Sequence, residues 1–428
     1  MSPAPAHSEP VARRHLLIVS SPFTKMTGAD RDFVTLCNAL DPARFRVTWA
    51  GTMGCEYLRP HLDPRVVERI VGFAVPVFHQ LIQEQAPLPR GPWLWTKIIL
   101  RELQHNWRAS GELAALTRRD PPDLVITNSA ALPVGGLYAQ RIRRPHLWAV
   151  KEWFDPGHTS SRRFCRIMLR ASRFVTVPSR ACAAAFPRDH PKLRTVPDGN
   201  DIAAIESGAL RRSRDVVLAE LGLPPHLPLV TQVGAFQRWK GQHLTLEAVA
   251  EIAARHPDPT FSLIFLGGGS PEDTARLETQ IADLPAPWRA LIRHIRFEPD
   301  DFSWLRAADF VVHPSILPDP LPNAVREAMI LGKAVIGPAE GGLLDLIESE
   351  KTGLLVPPRD AKALAAAMER LVGSTMERER MGTAARGWAT EALDIRRRVK
   401  EWEELITGPE LFLGKTSPGG TSRPLSAQ

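Results

Sequence analysis

Short apolar or β-branched runs alternate with helix-length segments along most of the chain. The strands predicted in the front part are residues 15–20, 46–49, 124–127, 146–150, 174–177 and 193–196. After a charged stretch the series resumes at 229–233, 262–266, 295–297, 310–313 and 334–336. Runs this short, spaced by helical patterns, predict parallel sheets built from βαβ units. The break at 201–228 divides the series into two doubly wound α/β domains, with ligands expected at the carboxyl ends of the strands and a cleft between the domains. Residues 1–14 and 407–428 are Pro/Ser/Gly-rich tails without periodicity and read as disordered. The expected division is then a first domain at 15–200, a linker at 201–228, a second domain at 229–380, and a helix at 381–406 packing back toward the first domain. No 20–50-residue repeat is visible.

A length of 428 residues suits two domains or three, and 44% hydrophobic with 24% charged residues is an ordinary globular composition. Collagenous, mostly disordered and disulfide-scaffolded proteins are excluded. No apolar run approaches the ~18–20 residues of a membrane span, and 15–20 is too short for a signal-peptide core. Cys37, Cys55, Cys165 and Cys182 form no C-x-x-C pair, which argues against a disulfide framework or a cysteine-rich zinc site. Cytoplasm is the expected compartment.

The net charge of +7 is unevenly spread. Residues 1–200 hold 28 Lys+Arg against 16 Asp+Glu, which leaves 26 against 31 for the remainder. A basic front and a mildly acidic rear predict two domains with different partners, and an anionic membrane surface or a lipid phosphate suits the basic one. Arg162, Arg163, Arg166, Arg170 and Arg173 recur at helical spacing among Phe164, Ile167, Met168 and Leu169, and Trp93 and Trp95 alternate with apolar residues and Lys97. Such segments can lie in a membrane interface. A solvated basic face and an ordinary core helix fit the same residues. No nucleic-acid-binding signature is present, so no nucleic acid is expected as a partner.

The first predicted strand runs into Ser20-Ser21-Pro22-Phe23 and then Gly28, without the G-x-G-x-x-G of a dinucleotide site. Gly28 either admits a ligand to a helix N-terminus or merely turns the chain. Asp30 and Asp32 resemble a metal-binding D-x-D, but positions i and i+2 do not share a helix face, so no metal is expected. In the rear half, the segment from Val233 to Gly241 follows a strand and opens a helix predicted at 242–254. There Arg238 and Lys240, beside Gly234, can hold a diphosphate, although surface Lys/Arg fits as well. Gly267-Gly268-Gly269 is a second glycine turn at a strand end, suited to close approach by a nucleotide or to a sharp bend. The most informative segment runs from His313 to Met329. Asn323 is the expected N-cap, Pro322 fixes the entry, and Gly332 is the expected stop. Glu327, one turn into this helix, and Asp319, on the loop before it, can face one cleft and accept hydrogen bonds from vicinal sugar hydroxyls.

From His313 onward the chain resembles the Glu-x7-Glu signature of retaining glycosyltransferases of family 4, which have the GT-B fold of two Rossmann-like domains facing across a cleft. The likeness continues through Gly332-Lys333-Ala334-Val335-Ile336-Gly337, Gly341-Gly342-Leu343-Leu344-Asp345 and Thr352-Gly353-Leu354-Leu355-Val356. Val233–Gly241 is similar to the family's V-G-R-x-x-x-x-K-G, Pro197-Asp198-Gly199-Asn200-Asp201 to its P-N-G-V-D, and Trp148–Trp153 to a front-domain V-R-E-W. Asp319 replaces the first glutamate, Ala235 stands at the usual arginine, and Lys151-Glu152 occupies the place of a front-domain histidine.

The resemblance implies a donor UDP-, GDP- or ADP-linked sugar and a lipid-linked or glycan acceptor, in cell-surface polysaccharide or glycolipid synthesis at the inner face of the membrane. It implies catalytic roles for Lys240, Arg238, Asp319 and Glu327. It implies nucleotide-sugar contacts at Gly234, Lys240, Gly267, Gly268, Asn323, Ala324, Val325 and Glu327, and acceptor or donor contacts at Gly28, Lys151 and Glu152. Neither metal nor cofactor is implied. A catalytically lapsed nucleotide-sugar-binding scaffold and a sugar-nucleotide epimerase of the same fold are the alternatives.

Overall fold

The structure is a computed structural model that describes residues 13–20, 26–77, 92–296, 298 and 301–412. Residues 1–12 and 413–428 of the expected tails, the loop at 21–23, Phe297 and the side chains at 92–99 lie outside the described residues. The chain divides into two compact units. The first runs up to Val177, takes in Ala185–Val196 and resumes at Val399; the second comprises Pro178–Ala184 and Pro197–Arg398.

The first unit is built on seven strands: β1 (Arg14–Val19), β2 (Phe45–Thr52), β3 (Val67–Phe73), β4 (Leu124–Asn128), β5 (His146–Ala149), β6 (Phe174–Val177) and β7 (Leu193–Thr195). They form one parallel sheet in the order β3-β2-β1-β4-β5-β6-β7. The order reverses between β1 and β4, the switch point at which doubly wound sheets open a crevice. The connecting helices are α1 (Gly28–Ala39), α2 (Pro92–Leu116), α3 (Pro133–Arg141), α4 (Thr159–Ala171) and, contributed to the second unit, α5 (Arg180–Ala183). Helices on both faces explain why β1 and β4 are buried apolar runs rather than alternating ones.

The second unit has six parallel strands, ordered β10-β9-β8-β11-β12-β13. They are β8 (Leu229–Val233), β9 (Ser262–Gly267), β10 (Ile292–Arg296), β11 (Phe310–Val312), β12 (Ala334–Pro338) and β13 (Gly353–Val356). Its helices begin with α6 (Ile202–Ala209) and α7 (Arg214–Leu221). Residues 201–228 are therefore two helices rather than a linker. Asp201 and Ser213 cap their N-termini, Gly222 ends the second in a left-handed conformation, and Ile205, Val217 and Leu218 are buried in the unit's core. Next come α8 (Gln242–Ala253), α9 (Pro271–Ala282), α10 (Ala286–Arg289), α11 (Ser303–Ala307), α12 (Asn323–Ile330), α13 (Leu343–Leu346), α14 (Ala361–Gly373) and α15 (Thr375–Ala392).

The expected single helix at 381–406 is broken. Its first part is the end of α15, which packs on α12, and the chain turns at Leu393-Asp394 before α16 (Ile395–Thr407). Asn200 bridges this turn: its N–H donates to Leu393 O at 2.7 Å and its O accepts from Ile395 N at 3.0 Å. Val399, Trp402 and Ile406 of α16 then join the first unit's core, where Trp402 meets Phe33 edge-on at 5.7 Å. The four-residue α17 (Pro409–Phe412) follows, so the tail expected from 407 begins instead as helix, with Leu411 buried in the first unit's core.

Candidate active site

The site residues of the second unit gather at the carboxyl ends of β8, β9 and β11. After β8 the chain passes Gly234 and makes a short 3-10 turn, Arg238–Lys240, before α8. Gly241 joins turn to helix at φ +73°, and a Cβ there would lie 1.9 Å from Pro314 O. Only glycine permits this approach between the two loops. Gln232 of β8 pins the turn: its Nε2 donates to Lys240 O at 2.9 Å, and its Oε1 accepts from Thr245 Oγ1 at 2.7 Å. Ile316 N donates to Trp239 O at 2.8 Å, and Phe236 N to Gly268 O at 2.8 Å. The loops after β8, β9 and β11 thus form one hydrogen-bonded platform.

On that platform Lys240 Nζ donates to Asp319 Oδ2 at 2.7 Å and stands 3.9 Å from the centre of the Trp239 ring. His313 Nε2 lies 3.4 Å from the same carboxylate oxygen and 3.1 Å from Ser315 Oγ. Asp319 is 7% exposed and His313 3%. Burial alone raises a carboxyl pKa, but the Lys240 ammonium and the His313 contact outweigh it and hold Asp319 below the usual carboxylate range. His313 is pushed below its ordinary value, first by burial and then by Lys240, against the raising effect of Asp319. Asp319 Oδ1 makes no hydrogen bond among the described residues, so this oxygen remains available to a ligand. A Gly-Gly pair fixes the aspartate backbone. Gly342 N donates to Asp319 O at 2.7 Å, and a Cβ on Gly341 (φ +64°) would come within 2.7 Å of that oxygen.

Glu327 is 2% exposed within α12, and Gly332 stops this helix at φ +72° as expected. The cap differs from the sequence reading. Pro322 is the N-cap, Asn323 is the first helical residue, and no side chain caps the helix. The Asn323 amide oxygen instead accepts from Arg326 Nη2 at 2.5 Å. Arg326 has no exposed surface, and its Nη1 also donates to Asn200 Oδ1 at 2.8 Å and to Asp198 O at 3.2 Å. The motif likeness did not single out this arginine. A signal was present: Arg326 and Glu327 are adjacent charges set between Val325 and Ala328-Met329, on a short helix whose second half is otherwise apolar. Val325 is itself fully buried, so only its backbone can meet a ligand. Arg238 is exposed and makes no side-chain hydrogen bond or ion pair among the described residues.

In the first unit Gly28 opens α1, where Thr27 and Asp30 form a capping box. Asp30 also accepts from Ser20 Oγ at 2.6 Å, which assigns the first carboxylate of the D-x-D to the helix cap. Glu152 is committed internally. Its Oε2 accepts from Ala130 N at 2.8 Å and Lys151 N at 3.0 Å, and its Oε1 accepts from Ser129 Oγ. Ser129 holds φ at 127°, a strained value for a non-glycine residue, and its carbonyl accepts from Trp148 Nε1 at 2.7 Å. Lys151 Nζ lies 5.1 Å from the centre of the Phe33 ring. Glu152 therefore shapes the ends of β4 and β5, and its oxygens are already engaged by protein donors.

Residues 213–388 match the model of the family described as "Glycosyl transferases group 1". The chain is 28% identical over 214 residues to a D-inositol 3-phosphate glycosyltransferase of Jonesia denitrificans, covering 48% of this chain and 49% of that one. With the enzyme of the same name from Corynebacterium urealyticum it shares 28% identity over 301 residues, 66% of this chain and 70% of the relative. The chain spans about half the length of the first curated relatives it matches. Among solved structures, Anabaena Alr3699/HepE in complex with UDP superposes with a TM-score of 0.70 at 19% identity, over 92% of this chain and 99% of the other. These likenesses agree with the two parallel-sheet units: the chain has the GT-B fold, and its residues 213–388 match the group 1 glycosyl transferases.

Proposed function

We propose that the chain is a retaining glycosyltransferase of the family 4 type. It moves a hexosyl group from a UDP-, GDP- or ADP-linked sugar to a lipid-linked or glycan acceptor, in cell-surface polysaccharide or glycolipid synthesis. The observation that carries this reading is the Lys240–Asp319–His313 cluster at the strand ends, in which Asp319 and His313 are buried, with a further buried carboxylate, Glu327, on the helix that follows Asp319 in the chain. UDP is the first donor to test, because solved neighbours of the same fold hold UDP and UDP-glucose.

The chemistry follows from the charges. The C1–O bond to the β-phosphate breaks with its electron pair on the departing oxygen. The acceptor hydroxyl oxygen bonds to C1 on the same face, and its proton passes to the leaving phosphate. Lys240 has three N–H donors and Asp319 engages one, so two are left for diphosphate oxygens as charge develops. Exposed Arg238 has the reach of a second cation. Asp319 Oδ1 accepts from a hydroxyl of the transferred sugar, and Glu327 from the donor ribose. Backbone groups at Gly234, Gly267, Gly268 and the α12 start line the nucleotide.

The basic first unit supports an anionic acceptor or membrane surface. Helix α4 exposes Arg162, Arg163, Arg166, Ile167 and Arg170, and α2 exposes Leu100, Leu103 and Trp107 at i, i+3 and i+7. No helix of the described residues is long and apolar enough to cross a membrane.

The decisive experiment supplies each nucleotide-sugar with candidate acceptors and follows release of nucleoside diphosphate together with the anomeric NMR signal of the product. The reading expects acceptor-dependent release and an anomeric configuration identical to the donor's. Inversion at C1 removes the retaining assignment. A free epimerised sugar nucleotide favours the epimerase, and donor binding without turnover favours the scaffold.

A further inference from the structure

The first unit contains a cavity of about 220 Å3 at the end of its sheet opposite to Gly28, Lys151 and Glu152. It lies where β5 and β6 begin and where α3 and α4 end, among His146, Ser172 and Pro145. Substrates of doubly wound sheets sit at the carboxyl ends of the strands. This cavity is at the other end.

Four cationic side chains line it, Arg144, Arg170, Arg173 and Lys192, with no carboxylate among its described lining residues. Lys192 Nζ donates to Leu169 O at 2.9 Å and Ser172 O at 3.0 Å, which satisfies the end of α4 and leaves one N–H. That helix end needs no further cation. Arg173 spends its Nε on Leu411 O at 3.2 Å. Arg144 has only a loose contact with Asp123 at 3.8 Å, both side chains over 40% exposed. Arg170 makes no side-chain hydrogen bond or ion pair among the described residues. The charges are close enough to repel: Lys192 is depressed first by burial and then by Arg173. Four gathered cations with one weak counter-charge repel one another, and a bound anion offsets that repulsion.

We propose that this cavity binds a phosphate monoester, with Arg144, Arg170 and Arg173 supplying N–H forks and Lys192 a point charge. The cavity is wider than a phosphate alone requires, so a short polyol stem enters with it. His146 contributes no charge: its ring is buried, with Nε2 on Thr127 Oγ1 at 2.8 Å and Nδ1 on Ser172 Oγ at 3.0 Å. The phosphate belongs either to a soluble polyol phosphate or to a lipid head group.

Calorimetry on the full chain with glycerol phosphate, beside co-sedimentation with phosphatidylcholine vesicles with and without phosphatidic acid, separates the two sources. Lys240→Ala weakens the second unit's own phosphate site, and acetylation read at Lys192 reports on the cavity alone. In that background the proposal expects glycerol phosphate to bind and to slow acetylation of Lys192, read by mass spectrometry. Arg170→Gln should weaken binding about tenfold, and Arg144→Gln combined with it further, the scale of losing charged hydrogen bonds. Protection of Lys192 by phosphatidic acid vesicles that is lost in the double variant assigns the lipid source. Glycerol phosphate binding with no such vesicle dependence assigns the soluble one. If neither probe protects Lys192, or if both variants bind as the parent does, the proposal is overturned.

Discussion

Lys240 Nζ and Asp319 Oδ2 stand 2.7 Å apart although 79 positions separate them in the chain. The ammonium that the proposed reading assigns to a departing diphosphate is thus held in one orientation by Asp319. The loops that hold the pair are locked by Gln232, Gly241 and Gly342, so the geometry is set by backbone contacts as well as by charge.

Replacing Lys240 by Ala removes this fixed cation. We expect kcat/KM to fall by more than ~100-fold, the scale typical of deleting one preorganised stabiliser. Steady-state kinetics with the best donor checks it. Near-parental turnover in a folded variant would transfer the role to Arg238.

Glu327→Gln and Asp319→Asn should differ. Glu327→Gln keeps the shape but puts an NH2 where an acceptor was, so affinity for the bare nucleoside diphosphate should drop by ~1.5–3 kcal/mol. Asp319→Asn frees Lys240 of its counter-charge, so the bare diphosphate should bind as well as before or better, while sugar transfer falls. Calorimetric titration with diphosphate and intact donor separates them. Equal loss of diphosphate affinity in both variants would sink this division of labour.

The central strands were legible because burial on both faces leaves almost uninterrupted apolar runs, as at Leu229–Val233 and Phe174–Val177. The strands missed are edge strands. β3 carries Glu68, Arg69 and Gly72, and β13 begins with a glycine, features that protect an unpaired edge and weaken an apolar signal. In the site, Lys240, Asp319 and Glu327 stood out because motif spacing named them. Arg326 pairs with Asn200, 126 positions away, and Gln232 with Thr245, 13 positions on, and no local pattern announces such pairings; His313 lies in the same segment as Asp319, but their contact depends on how the loop between them folds. Asn323 misled for a related reason. Its side chain has two possible hydrogen-bonding outlets, and a buried guanidinium one turn on outcompetes the helix cap.

That guanidinium should dominate the stability of the second unit. Arg326→Met leaves Asn200 Oδ1, Asp198 O and Asn323 Oδ1 without their shared donor. Breaking a buried polar cluster of this kind costs on the order of 3–5 kcal/mol. Arg326→Lys should rescue little, because one ammonium cannot span the forked geometry. Urea unfolding of both variants tests this, and a lysine variant as stable as the parent would contradict it.

Association with anionic membranes should follow the exposed arginines of α4. Co-sedimentation should rise with the anionic lipid fraction and fall with salt, because screening shortens the interaction. Arg162→Gln with Arg166→Gln should weaken it while leaving donor turnover in solution unchanged. Equal binding to neutral vesicles would assign any adhesion to the apolar face of α2 instead.

Acid should loosen the first unit through His146. Burial lowers this imidazole to about 3, against an ordinary value of 6.5, and its two ring nitrogens engage Thr127 and Ser172. Between those two values the unfolded chain binds a proton that the folded one refuses, so stability rises with pH across the window. Read downward, stability is intact above about pH 6.5 and is lost progressively toward pH 3, by at most ~1.4 kcal/mol per pH unit from this one group. His146→Asn abolishes the titration while keeping polar atoms near Thr127 and Ser172. Its absolute stability should be lower at pH 7, but its loss between pH 7 and pH 5 should be smaller than the parent's. Hydrogen exchange at the β5 amides, measured at both pH values, gives the comparison within the unit concerned. If parent and variant lose protection there by the same factor, His146 is not the acid-sensitive group of this sheet.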